Sequence, residues 1–355
     1  MSKLPELIIG DLKIYPPIIQ GGMGVKISLA NLASAVANEG GVGTISAISG
    51  GFSQGPTDRA DLENQLKEQI RKARTMTKGV LAVNILVALT NYENLVKISV
   101  EEGIDIIICG AGLPLSLPKL VEGSKTKICP IVSSGRTAEI LCKNWINKFH
   151  HAPDALIVEG PMAGGHLGYS FEDLAQEPPL IKLEDVLAEV LVVAKKYEAI
   201  AQKKIPVVAA GGIFDGKDIA RMIKLGASGV QMATRFVCTD ECDAAMPFKQ
   251  AYINSKKEDI MIINSPVGLP GRALRNTFLD KAKAGEIKFK CGFQCLRTCV
   301  PAQSPYCIAD ALINAARGDL DNGFVFCGSN VYRMDKIVSV KHLINELVTE
   351  AELNY

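Results

Sequence analysis

One of the chain's four histidines stands apart from the others. His166 follows an apolar run, Ala155-Leu156-Ile157-Val158, and lies in the glycine-rich stretch Glu159-Gly160-Pro161-Met162-Ala163-Gly164-Gly165-His166-Leu167-Gly168. An imidazole titrates near neutrality, so it can take a proton from a carbon acid or hold a substrate oxygen. A lone histidine is more often structural than catalytic, but its place among glycines beyond an apolar run favours a functional role. His150 and His151 sit together in a polar segment and read as solvated, and His342 reads as a surface residue of a C-terminal amphipathic helix. Four further stretches carry polar or glycine signals. Gln20-Gly21-Gly22-Met23-Gly24 lets a flat ligand approach the backbone closely, or is an ordinary tight turn. Asn84, inside an apolar run, needs partners and offers both donors and an acceptor. A flavin or nucleobase edge would satisfy it, and so would a neighbouring loop. Gly211-Gly212-Ile213 and Ala233-Thr234-Arg235-Phe236 follow two later apolar runs and expose backbone N–H groups before helices, an arrangement that binds phosphate.

The elements that must position these residues form a regular series. Apolar runs, mostly β-branched, occupy 17–20, 42–45, 80–85, 104–109, 128–132, 155–158, 207–209 and 229–232. Continuous apolar runs of this length read as parallel strands buried on both faces. Helical spacing fills the gaps, as in 61–76, with Leu62, Leu66, Ile70 and Ala73, in 183–202, and in 215–225, which begins at Asp215 and stops before Gly226. Eight β/α alternations without a composition break predict an α/β fold, a (β/α)8 TIM barrel over 1–240, with a doubly wound sheet as the alternative. Gly/Ser-rich loops at 46–56 and 160–179 interrupt the rhythm. Residues 241–330 leave the repeat and read as an added helical cap carrying the C-terminal cysteines, and 331–355 as a C-terminal helix packing back on the barrel.

Composition narrows the classes. The 355 residues are 48% hydrophobic and 22% charged, enough to bury a large core without disulfide staples. A net charge of +1 gives no reason to expect nucleic acid or an anionic membrane as partner. No secretory signal opens the chain and no apolar stretch reaches about 18 residues, which points to a cytoplasmic setting without membrane spans. The ten cysteines then read as thiols or metal ligands rather than disulfides. Cys291, Cys295, Cys299 and Cys307 cluster, but their spacing matches neither a zinc CxxC pair nor a ferredoxin run, and on a helix CxxxC spacing would put two thiols on one face. Reduced structural or redox-active thiols are favoured over a bound metal. Cys109, Cys129 and Cys142 read as small buried hydrophobes.

In order along the chain, PPIIQGGMG, AVNIL, AGGHLG, AAGGI and QMATRF resemble the nitronate monooxygenase family, formerly the 2-nitropropane dioxygenases. The resemblance covers about 14–240 and continues more loosely beyond. It implies FMN lying across the barrel mouth. Gly22 and Met23 would contact the ring through their backbone and Asn84 would lie near its edge. Gly165, Gly211, Gly212, Ala233 and Thr234 would surround the phosphate. Gln231 would lie close by, and Glu159, Ala210 and Met232 complete the cofactor-binding set. His166 matches the histidine that the family places near flavin N5, as base or as orienting group for a nitronate. One departure stands out: where many members carry an acidic residue two before Gly-Gly-His, this chain has Met162, which alters the loop's polarity and bears on substrate and pyridine-nucleotide preference.

The resemblance implies an FMN-dependent oxidoreductase acting on a small molecule, first an alkyl nitronate such as propionate 3-nitronate, oxidised with O2 to a carbonyl compound and nitrite. The family also contains FMN-dependent enoyl-acyl-carrier-protein reductases and NAD(P)H:quinone reductases, so an enoyl thioester or a quinone, with NAD(P)H as co-substrate, is the alternative. A carrier-protein reductase would need an exposed basic patch, for which Arg272, Arg275, Lys281, Lys283, Lys288 and Lys290 are candidates, though a solvated helix face accounts for them equally well. A redox sensor that binds FMN and switches through its cysteines is a reading of another class, as is an iron–sulfur flavoprotein. A homodimer is left open.

Overall fold

A computed structural model describes residues 3–49, 59–176 and 180–355. Parts of the two glycine-rich loops expected at 46–56 and 160–179 therefore lie outside the described residues. The chain opens with an antiparallel hairpin, β1 (Leu7–Ile9) and β2 (Leu12–Ile14). Then β3 (Ile18–Gln20), β4 (Gly43–Ser46), β5 (Leu81–Leu86), β6 (Ile106–Gly110), β7 (Lys127–Val132) and β8 (Leu156–Glu159) follow. A two-residue strand, β9 (Gly165–His166), precedes β10 (Val207–Ala210) and β11 (Gly229–Met232).

These eight parallel strands, β9 apart, run in the order β3-β11-β10-β8-β7-β6-β5-β4. The ring closes between its two edge strands, where Gln20 N donates to Val42 O at 2.9 Å and Val42 N donates to Ile18 O at 2.9 Å. The fold is therefore a (β/α)8 barrel, and the doubly wound alternative is set aside. Each apolar run identified in the sequence holds one barrel strand. The pleat sends alternate residues to opposite faces. Ile19, Ala82, Ile106, Ile108, Cys129, Ile157 and Val208 fill the interior together with Leu7, Ile9 and Ile14 of the hairpin. The hairpin plugs the end where the strands begin: a Cβ on Gly229, the first residue of β11, would lie 3.1 Å from Leu7 Cδ2. The other end is left for ligands.

The outer face packs on helices α1 (Ala30–Asn38), α2 (Arg59–Met76), α3 (Tyr92–Glu101), α4 (Leu117–Leu120), α5 (Gly135–Phe149), α6 (Phe171–Leu174), α7 (Leu183–Ala201), α8 (Gly216–Lys224) and α9 (Thr234–Val237). Leu66, Val190 and Ile219 lie on the helices that the sequence spacing announces, and Leu32, Leu95 and Leu141 present the same kind of buried apolar stripe on α1, α3 and α5.

Residues 241–330 differ from the helical cap expected there. Helices α10 (Met246–Ile253), α11 (Thr277–Lys283) and α12 (Ile308–Ala316) are present, but β12 (Ile260–Asn264) and β13 (Pro270–Leu274) form an antiparallel pair between them. β13 also pairs with β9, matching Gly271 to His166 and Arg272 to Gly165. The loop after the sixth barrel strand is thus an edge strand of the cap sheet. Cys291, Cys295 and Cys299 lie in irregular chain rather than on a helix. That segment crosses the barrel mouth, with Thr90 N donating to Cys295 O at 3.0 Å and Arg297 N to Ala88 O at 2.9 Å. The final helix, α13 (Val340–Asn354), lies on α8 so closely that a Cβ on Gly216 would stand 2.4 Å from Ala351 N.

Candidate active site

The C-terminal ends of the barrel strands and the cap enclose a cavity of about 270 Å3. Gly22, Met23, Asn84, Glu159, Gly165, His166, Ala210, Gly211, Gly212, Gln231, Met232, Ala233 and Thr234 all line it. Residues spread over more than two hundred positions meet here because each lies near the C-terminal end of a barrel strand or in the loop after it.

The turn after β3 is strapped from within. Gln20 Nε2 donates to Ser28 Oγ at 3.0 Å, Thr44 N donates to Gln20 Oε1 at 2.9 Å, and Met23 N donates to Ser28 Oγ at 2.9 Å. Gly22 runs against Asn84, whose Nδ2 donates to Gly22 O at 3.0 Å, and a Cβ on Gly22 would come within 2.3 Å of Asn84 Cβ. The Asn84 donor thus serves the structural purpose that the sequence left open, while its side chain still borders the cavity. After β10, Gly211 and Gly212 take φ of +91° and +84°. The helix beyond is capped by its own residue, Asp215, whose side chain accepts from Asp218 N at 3.0 Å. The turn before α8, and not the helix terminus, therefore borders the cavity. At the end of β11, Gln231 Oε1 is buried without a hydrogen-bond partner. Such an atom costs free energy unless a donor reaches it.

His166 is held on three sides. β9–β13 pairing fixes its backbone. Ser265 Oγ lies 2.7 Å from Nε2, and the ring of Phe326 meets the imidazole edge-on with centroids 5.0 Å apart. The side chain keeps some surface on the cavity, but the surrounding protein disfavours its charged form and lowers its pKa from 6.5 to about 4. The imidazole is neutral at physiological pH. Glu159, at the end of β8, behaves oppositely: burial raises its pKa from 4.5 to about 8, against the opposing pull of the Arg272 guanidinium. Its carboxyl is protonated at neutral pH.

Arg272 does not belong to an exposed basic patch. It is 4% exposed, and its Nη1 donates to Pro161 O at 2.7 Å and to Ala163 O, pinning the loop that carries His166. Arg275 is spent on Asp280. Ser265, Phe326, Phe248, Tyr252, Ile308 and Leu312 reach the site without any warning in the sequence, since an isolated apolar or hydroxyl residue far from a barrel strand carries no motif. Phe326 arrives because its segment runs beside β13, with Leu274 N donating to Val325 O at 2.9 Å and Cys327 N to Arg272 O at 3.0 Å.

All ten cysteines are free thiols. Cys295 and Cys327 border the cavity, and burial pushes both thiols up to about 12. Among the described residues, no group of three or more His, Cys, Asp or Glu is placed to hold a metal ion, and no helix is long and apolar enough to cross a membrane.

Comparison with known proteins agrees with this architecture. A probable nitronate monooxygenase from Staphylococcus saprophyticus is 27% identical over 314 residues, covering 79% of this chain and 81% of that protein. An octahydroindene-carboxyl-CoA dehydrogenase from Mycobacterium tuberculosis is 27% identical over 284 residues, 80% of this chain and 69% of that protein. Among solved structures, FabK from Thermotoga maritima superposes with a TM-score of 0.75 at 28% identity, covering 96% of this chain and 94% of the other. A nitroalkane oxidase from Streptomyces ansochromogenes shares the fold, with a TM-score of 0.75 at 21% identity, covering 96% and 97%. The nitronate monooxygenase model matches residues 6–350, almost the entire length, and the chain belongs to that family of oxidoreductases.

Proposed function

We propose that the chain binds FMN across the C-terminal end of the barrel and oxidises alkyl nitronates with O2 to a carbonyl compound and nitrite. The observation that carries the reading is His166, held by β13 and Ser265 at the rim of a glycine-walled cavity. The cavity fits the cofactor in two ways. The orphaned Gln231 Oε1 suits an N–H of a flavin ring, and a Cβ on Gly165 would meet no atom within 4 Å, so backbone there borders open space. Gly22, Met23 and Asn84 would meet the ring. Gly165, Gly211, Gly212, Ala233 and Thr234 would hold the phosphate, and Glu159, Ala210 and Met232 complete the set. No Lys or Arg lines the cavity among the described residues, so backbone N–H groups would carry the phosphate's charge. When bound, FMN supplies the electron-accepting chemistry.

The chain's own residues then choose the substrate's form. With its pKa near 4, His166 is a weak base, so a nitronate that arrives already deprotonated suits it better than a neutral nitroalkane. Ser265 engages Nε2 and leaves the other ring nitrogen to hold a nitro oxygen. Protonated Glu159 adds no negative charge beside the anion. A cytoplasmic setting, which keeps thiols reduced, suits the ten free cysteines. The test is aerobic turnover of butyl nitronate by the purified yellow protein, following nitrite and O2. Stoichiometric nitrite supports the proposal, and its absence removes it.

A second reading on the same site is NAD(P)H-dependent reduction of an enoyl thioester or a quinone. It is favoured by the apolar cap and by the relative named for a carboxyl-CoA compound. Rapid NADH or NADPH oxidation on adding a 2-enoyl thioester would support it.

A further inference from the structure

The cavity has two walls of different chemistry. Its polar side chains, Asn84, Glu159, His166, Gln231 and Thr234, come from the barrel strands and the loops after them. Residues 241–330 contribute aromatic, aliphatic and thiol groups, chiefly Phe248, Tyr252, Leu296, Ile308, Leu312 and Phe326. Tyr252 carries a hydroxyl, but it donates to Phe326 O at 2.7 Å, which leaves the ring as the cavity surface. The apolar wall starts at the reacting centre. Phe326 touches His166, with centroids 5.0 Å apart, its carbonyl takes the Tyr252 hydroxyl, and Tyr252 stacks on Phe248 at 5.8 Å. Ile308 and Leu312 of α12 line the same space, and Leu312 keeps accessible surface although the helix is packed. Apolar surface beside a polar reaction centre binds whatever apolar body is attached to the reacting carbon.

We infer that this wall is the binding site for an uncharged alkyl chain of the substrate, with the reacting carbon at His166 and the chain along Phe326, Tyr252 and Phe248. The inference rests on the proposed placement of the reacting carbon at His166. It also selects against a substrate whose tail ends in a carboxylate, such as propionate 3-nitronate. Among the described residues no cation lines the cavity to compensate that charge, and an uncompensated charge on apolar surface is strongly disfavoured.

The test is a binding series on the purified yellow protein that needs no turnover. Straight-chain methyl ketones from 2-butanone to 2-decanone are titrated while the flavin absorption spectrum is followed, with 5-oxohexanoate beside 2-hexanone as the carboxylate-tailed control. Each added methylene is expected to tighten binding about fourfold until the wall is filled. The carboxylate ketone is expected to bind at least about tenfold more weakly than 2-hexanone. Ala309 lines the cavity beside Ile308, so Ala309→Leu should shorten the preferred chain and Leu312→Ala should lengthen it, both with unchanged colour. If Ala309→Leu loses its colour, the wild-type series and Leu312→Ala still decide. Affinity independent of chain length, or equal affinity for the carboxylate ketone, overturns the inference. Chain-length dependence without nitrite release in the butyl nitronate assay sinks only the reaction, and nitrite release with flat ketone affinities sinks only the chain site.

Discussion

The barrel wall and the cap wall of the cavity reach the same space by opposite routes. On the barrel side, Asn84, Glu159, Ala210 and Gln231 lie in strands whose partners and register are dictated by hydrogen bonding around a closed ring, so they take their places as the barrel forms. On the cap side, Phe248, Leu312 and Phe326 come from unrelated elements and are gathered through the pairing of β13 with β9 and with the segment at 325–327. The first wall is glycine-rich and polar, and the second is apolar. A repeat that fixes its backbone by hydrogen bonding around a ring suits a rigid cofactor, while His166 is held by the cap as well, through β13 and Ser265. A cap joined to it at a few points can vary its side chains without disturbing the barrel. Substitutions in the barrel wall should therefore abolish chemistry or cofactor, while those of the apolar cap residues Phe248, Leu312 and Phe326 should shift which molecule is chosen.

The largest expected effect is at His166. His166→Asn should keep the yellow colour and lower nitronate turnover about a hundredfold or more, read from steady-state nitrite release. Turnover within twofold of wild type would remove His166 from the reaction. Next is Gly22→Ala. The added Cβ would sit 2.3 Å from Asn84 Cβ, and the displacement of the turn should weaken flavin retention about tenfold, read from the flavin-to-protein ratio after gel filtration. Leu312→Ala in the cap should leave that ratio unchanged, and equal loss in both variants would erase the distinction between the walls.

Ser265→Ala should lower turnover about tenfold, because the imidazole loses the partner of its Nε2, while the shape of the pH profile is kept. Glu159 sets the alkaline limb of that profile. Its pKa is raised from 4.5 to about 8, so the folded protein holds a proton that the unfolded chain releases between those values. Stability from this group is present below pH 4.5 and is lost as pH rises through 8. Ionisation above pH 8 also sets a negative charge beside an anionic substrate. Activity on nitronates should fall there, and Glu159→Gln should flatten both declines, in a pH–rate series and in pH-dependent melting. The smallest effect concerns the thiols. Cys291, Cys295 and Cys299 are half-buried and the other seven are buried, so brief alkylation of the native protein should mark at most these three, as peptide mapping would show.

The barrel was legible because its strands are continuous apolar runs with helical spacing between them, and because Gly211-Gly212 and the glycines around His166 stand where strands end. Strand bounds moved by a residue or two, as at β4, which spans Gly43–Ser46 rather than starting at Val42. The cap was less legible for a physical reason. The stretch Ile260–Asn264 is short, and its partner begins at a proline and a glycine, so neither has the length or alternation that marks a strand. Pairing of the two with each other, and of β13 with β9, makes them strands where local preference does not. The same pairing turns Arg272 from an apparent surface cation into a buried pin on Pro161 and Ala163. CxxxC spacing would put two thiols on one face of a helix, but the bonds from Thr90 N to Cys295 O and from Arg297 N to Ala88 O hold Cys291–Cys299 as irregular chain across the mouth.

The most direct test is anaerobic mixing of the purified yellow protein with butyl nitronate, NADH and NADPH in separate cuvettes, recording the flavin spectrum. Bleaching by the nitronate, with the flavin left oxidised by both nicotinamides, is the predicted result. Bleaching within seconds by NADH or NADPH, with no response to the nitronate, would contradict the nitronate account and make the chain a reductase.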